Sequence, residues 1–250
     1  MKQNSTQKQN VVKTYTKFLL PIVACVMMVY TSCQKTENAP AKQTTAATGG
    51  KIAVTLAKSL AGTYGGVNLN DGVNVSVDGH QGPHQGCTCT QTLCGFFTDS
   101  LVNYNATAGD TVIHTGGNLR FYFNCVDGKL SGYTASDSLN TTKTVPGQAP
   151  QVYRVQQDYD IKALDDQNQF IGVTGNNWLT TNDGGSYYKV KDLKINVVTK
   201  DILSGTATFE SYGNWGDVKG SMTFLGNHMA DMVIDGKTYH VNLSTGTVSQ

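Results

Sequence analysis

Over most of its length beyond residue 66 this chain alternates apolar with polar residues one for one, and that period decides its fold class. Leu119, Phe121, Phe123 and Cys125 alternate with Asn118, Arg120, Tyr122 and Asn124. Tyr153, Val155, Tyr159 and Ile161 alternate with Arg154, Gln156, Asp158, Asp160 and Lys162, and Gln157 is the one polar residue on the apolar side. Such a period buries one face of a sheet and wets the other. The pairs Asp127-Gly128, Asp183-Gly184, Gly226-Asn227 and Asp235-Gly236 supply tight turns between the runs. The last stretch reads as three hairpin-linked strands, Met222–Leu225, His228–Ile234 and Lys237–Leu243, with Tyr239, Val241 and Leu243 facing inward and Thr238, His240 and Asn242 outward. Ten or more such strands with no helical period between them predict an all-β fold, an antiparallel two-sheet sandwich or a barrel-like meander. Each apolar face needs a cover, and a second sheet is the expected one.

Before the strands lies one helical signal. Ile52, Leu56 and Leu60 recur four apart, and Gly62 and Gly65-Gly66 end the run. One short N-terminal helix with a Gly-rich turn is expected over 51–66, and the β domain over 67–250. Residues 34–50 (QKTENAPAKQTTAATGG) hold no large apolar side chain. They read as a disordered tether, because so little apolar surface does not offset the chain's entropy. Asn140–Pro150 shows neither period and reads as a loop.

The first 32 residues differ in charge from all that follows. They carry Lys2, Lys8, Lys13 and Lys17 and no acid. The apolar stretch Phe18–Tyr30 comes next, then Thr31, Ser32 and Cys33. Thirteen apolar residues fall short of the roughly 20 that span a bilayer and suit a signal-peptide core. With a basic start, an apolar core, small residues and a Cys, the segment resembles a bacterial lipoprotein precursor of the Bacteroidota surface type. The resemblance implies cleavage of residues 1–32, a diacylglycerol on the Cys33 thiol and an acylated amine at the new terminus. Residues 33–50 would then be the lipidated Cys and its tether, holding the protein at the outer membrane or cell surface. Tyr30 departs from the Leu usual at its position, whereas Gln34-Lys35-Thr36-Glu37 is similar to the Lys-and-acid run that follows the Cys in surface members. An ordinary secretory signal or an uncleaved anchor is the competing reading.

Four further cysteines follow Cys33 in the exported part: Cys87, Cys89, Cys94 and Cys125. In an oxidising compartment an even number argues for disulfides, and Cys94–Cys125 is the preferred pair. Pairings of 87 with 94 and 89 with 125 stay open. The segment GHQGPHQGCTC sets His80, His84, Cys87 and Cys89 within ten residues. These are Zn²⁺ or Cu⁺ ligand types, and a metal is the alternative to a disulfide or an inert loop. No other cofactor is implied.

Charge excludes one partner class. Lys+Arg 19 against Asp+Glu 18 gives a formal charge of +1, without the basic excess that displaces phosphate counterions, so nucleic acid is not an expected partner. No serine elbow, HExxH or phosphate loop is present. A surface hydrolase would need paired carboxylates, and Asp158, Asp160, Asp165 and Asp166 are the densest group. A solvated strand face and turn explains them as well, and the same group is an alternative calcium site. His114, His228 and His240 are isolated. The aromatics Trp178, Tyr187, Tyr188, Tyr212 and Trp215 lie among Asn, Asp and Gln, a combination suited to stacking on and hydrogen bonding to sugars. Tyr187 and Tyr188 are adjacent, so on a strand one of them should point outward. The expectation is a lipid-anchored envelope protein, a non-catalytic binding or structural module for a glycan or an envelope protein, with metal binding and hydrolysis as alternatives.

Overall fold

The structure, a computed structural model, describes residues 45–73 and 94–249. Among them are one helix, α1 (Thr45–Leu60), and a short 3-10 turn (Leu69–Asp71). The strands are β1 (Phe97–Ala108), β2 (Thr111–Val126), β3 (Lys129–Thr144), β4 (Gln151–Ala163), β5 (Phe170–Thr181), β6 (Gly184–Asn196), β7 (Asp201–Gly213), β8 (Val218–Gly226), β9 (Met229–Ile234), β10 (Lys237–Asn242) and β11 (Val248–Ser249). All eleven form a single antiparallel sheet in simple chain order. The expected all-β meander is present, built as one sheet rather than two.

The cover for the apolar face is α1, not a second sheet. Nine of its sixteen residues are buried, among them Ile52, Leu56 and Leu60. It packs on β9, β10 and β11, yet Ser59 near its end also bonds to Gln157 on β4 and Asn177 on β5. In a flat sheet β4 and β10 would stand about 29 Å apart at the usual strand spacing, far wider than a helix about 10–12 Å across. The sheet must therefore curl around α1. It does not close, because β1 and β11 do not pair. Residues 61–73 complete the cover with Val67, Leu69 and Val73, all buried in the same core as Tyr133, Tyr159, Tyr188 and Phe209.

Residues 45–50, expected in the tether, form the first part of α1 instead. Thr48, Gly49 and Gly50 are buried. A Cβ on Gly50 would lie 2.3 Å from the Gly246 carbonyl oxygen, and one on Gly49 would lie 3.0 Å from the Met232 sulfur. The segment gains its burial by backbone approach, which needs small residues, rather than by large apolar side chains. Likewise β3 continues to Thr144, into the expected loop, because Thr141 pairs with Tyr153 and turns inward.

Two turns shift by one residue. Asp127-Gly128 and Asp235-Gly236 have positive φ at both positions, as two-residue hairpins require. At the β8–β9 turn the two loop residues are Asn227-His228 rather than Gly226-Asn227, and Gly226, which ends β8, is left-handed as they are. The Asp201 carboxylate causes the shift: it accepts the N–H of Asn227 at 2.6 Å and of His228 at 2.9 Å, drawing His228 out of the expected strand. Between β5 and β6 the loop is Asn182-Asp183, with Gly184 opening β6.

Cys94 and Cys125 are disulfide-bonded, with Cα atoms 5.4 Å apart. Cys94 lies in the turn before β1, not in a strand, and Cys125 at a bulge near the end of β2. The bond closes a loop across 31 positions. By chain entropy the double substitution Cys94→Ser/Cys125→Ser should cost roughly 3–4 kcal/mol. Denaturant midpoints with and without reductant check this, and reductant should leave the double variant unchanged.

Candidate functional site

Strand phase splits the five aromatics into two groups. Trp178, Tyr187 and Tyr212 face outward, whereas Tyr188 and Trp215 do not. Tyr188 is fully buried and donates its hydroxyl to the Ile52 carbonyl on α1 at 3.0 Å. Trp215 lies in the β7–β8 connection, 4% exposed, against Val155 and Leu179, with the Lys51 ammonium 4.8 Å from its ring centre. These two rings belong to the core and offer no stacking face to a ligand.

The outward three form a patch across β5, β6 and β7. Trp178 pairs with Tyr187 across β5 and β6, and their ring centres are 4.7 Å apart. The Tyr187 hydroxyl donates to the Asn176 side-chain oxygen at 2.8 Å. Tyr212 is opposite Gly185 on β6, and a Cβ there would sit 2.5 Å from the tyrosine Cζ, so the phenol lies directly on the glycine. The phenol's oxygen is 2.8 Å from the Thr180 hydroxyl. Trp178 is 39% and Tyr212 46% exposed. Around them the register sets Gln156 beside Trp178, Arg154 beside Thr180, and Glu210 beside Tyr187. Glu210 is paired with Lys219 at 3.0 Å. Flat apolar faces are thus held in fixed orientation within a rim of amide, guanidinium and carboxylate groups.

A second cluster lies inside the molecule, and of its polar side chains the sequence singles out Gln157 alone. Asp137 on β3 is 4% exposed. Its carboxylate accepts the N–H of Val67 at 3.2 Å and of Gln157 at 3.1 Å. The Gln157 side-chain oxygen accepts the same Val67 N–H at 2.9 Å, and its amide donates to the Ser59 carbonyl at 3.4 Å. Asn177 donates to the Ser59 hydroxyl at 2.7 Å and the Tyr159 hydroxyl at 2.8 Å. Gly66 fits only as glycine: a Cβ would lie 2.3 Å from the Gln157 oxygen. Burial pushes the Asp137 carboxyl up to about 7, against the opposing pull of its two backbone N–H donors. Burial also raises the phenols of Tyr133, Tyr159 and Tyr188. The cluster ties β3, β4 and β5 to the end of α1 and the segment after it, and its geometry is that of a fastening. Strand phase was the available signal: Asp137 runs in step with Tyr133, Ala135 and Leu139, and Asn177 with Val173 and Leu179.

The remaining sequence candidates are dispersed. Cys33, His80, His84, Cys87 and Cys89 lie outside the described residues. Among the described residues no three His, Cys, Asp or Glu side chains converge on a metal position. Asp158 and Asp160 lie on the outer side of β4, where Asp160 pairs with Lys162 at 2.9 Å. Asp165 accepts the Phe170 N–H in the β4–β5 turn. His114 bonds to Asn105, and His240 to Asp231 at 2.6 Å. No helix among the described residues is long and apolar enough to cross a membrane. Set against known families, curated proteins and solved structures, the chain matches none of them.

Proposed function

We propose that this is an exported protein, lipid-anchored through Cys33 at the outer membrane or cell surface, whose β domain binds glycan on its outer face. The observation that carries the binding reading is the Trp178–Tyr187–Tyr212 patch, three rings fixed by cross-strand stacking and hydrogen bonds on regular strands. Rigid aromatic faces stack on the C–H faces of sugars without losing much side-chain entropy, and the surrounding Gln156, Asn176 and Arg154 supply hydrogen-bonding groups. No chemistry on the substrate is required of the protein. The reading of the address rests on residues 13–37, with their Lys13 and Lys17, apolar core and Cys33. Two acyl groups or more would make that attachment stable.

A glycan array with the folded domain tests the binding half. Trp178→Ala and Tyr212→Ala should each weaken the strongest hit about ten-fold, about 1.4 kcal/mol, while the melting temperature holds. A blank array, or binding untouched by both substitutions, overturns the glycan reading. Growth with a labelled fatty acid tests the anchor. Label should enter the parent and be lost in Cys33→Ser, and label retained in that variant overturns the lipid attachment.

A further inference from the structure

A cleft of about 190 Å³ opens where the end of α1 meets two turns of the sheet. Its floor is apolar and consists of core side chains: Leu60, Leu69, Ile195, Ile202 and Leu243 are each 7% exposed or less. Its rim carries Lys58 from the last turn of α1, Lys200 from the β6–β7 turn and His228 from the β8–β9 turn. No Asp or Glu is among the lining residues. The chain as a whole is almost neutral, at +1, so this gathering of basic side chains is local and not a reflection of overall composition.

The backbone of the two turns fixes the position of the rim. Lys200 and His228 both have left-handed backbones, with φ of 58° and 56°. Such positive φ values belong to tight turns, and they fix where the two side chains leave the backbone. Asp201, next to Lys200, holds the His228 turn through its two backbone bonds and lies 3.4 Å from the His228 Nδ1. That carboxylate is 9% exposed and engaged by the turn, so it fixes the imidazole at the rim without presenting a free negative charge to the cleft.

We propose that this cleft binds a small amphiphilic carboxylate, a short acyl chain of about the size of hexanoate. The apolar part lies against Leu60, Ile202 and Leu243, and the carboxylate lies at the rim near Lys58, Lys200 and His228. The volume holds about six non-hydrogen atoms at the roughly 30 Å³ that one water occupies in the liquid, enough for the carbon chain with the carboxylate oxygens at the rim. Charge selects the head group, since three exposed basic side chains around the mouth attract an anion and repel a cation. The site is separate from the outer aromatic patch, so either can fail without the other.

Methyl-resolved NMR titration with sodium hexanoate tests this on the folded domain. Saturable shifts should appear at Leu60, Ile202 and Leu243 with Kd about 1 mM, as befits eight atoms. Hexylamine, the same tail with a cationic head, should bind at least ten-fold more weakly. Lys200→Asn keeps a residue that tolerates the left-handed turn and should weaken hexanoate about five-fold. Ala57→Leu, which fills the cleft and leaves all three basic groups, should abolish the shifts, so that loss of charge and loss of space are read apart. Absence of saturable shifts at 20 mM, equal binding of hexylamine, or full binding by folded Ala57→Leu overturns the proposal.

Discussion

A chain carrying Leu56→Ala is expected to melt about 5–15 °C below the parent, corresponding to about 2–5 kcal/mol for a deleted core leucine in a domain of this size. Leu56 is 1% exposed in the core that joins α1 to the curled sheet. The helix is the sheet's principal cover, so a void on its inner side lies between two surfaces that hold each other in shape. Collapse into that void would require the sheet to tighten, and its strands are fixed by continuous ladders from β1 to β11. Truncating the exposed Lys58 to Ala on the same helix should change stability by no more than about 0.5 kcal/mol. Thermal unfolding followed by circular dichroism distinguishes the two, and equal melting temperatures for Leu56→Ala and the parent would refute the helix's role as cover.

The second large effect is one of pH. Asp137 has an ordinary value of 3.8 and is pushed up to about 7 in the fold, chiefly by burial. Between those values the native state holds a proton that the unfolded chain has released. Stability from this group is therefore complete below about pH 4, falls as pH rises through about 7, and is level above that. A shift of this size corresponds to on the order of 4 kcal/mol across the window. Asp137→Asn removes the ionisation and keeps the size and one acceptor. Measured as urea midpoints from pH 4 to 8, the difference between parent and variant should shift in the variant's favour with rising pH. A difference that stays constant across the window would show that Asp137 does not hold its proton in the fold.

Strand phase carried most of what the sequence made legible. The inward set on β2, β4 and β10 was read from alternation alone, including the inward Gln157, and Tyr187 and Tyr188 divided as adjacent strand residues must. Where phase gives out, so did the reading. Trp215 lies in a connection with no period, and its text among Ser, Gly and Asn gave no sign that it packs on Val155 and Leu179. The start of α1 was missed for the opposite reason: Gly49 and Gly50 bury themselves by having no side chain, and apolar content is the wrong measure for such a contact. In the sequence a second sheet is the only sizeable candidate for a cover; one helix suffices because the sheet curls, and curling is a property of the assembled strands. The left-handed Asn227-His228 turn depended on Asp201, 26 residues earlier, a pairing that local turn chemistry does not contain.

The helix that begins the described fold rests on the three strands that end it. A chain made or exported from its amino end therefore delivers α1 before its resting place, with the eight strands β1 to β8 between. Strands can zip to their neighbours as they emerge, since each needs only the one before it. The close packing of Gly246 and Val248 against Gly50, however, needs both ends of the described fold to be present. Loss of the final few residues, a minor edit by length, would therefore be felt at the helix about 200 positions earlier.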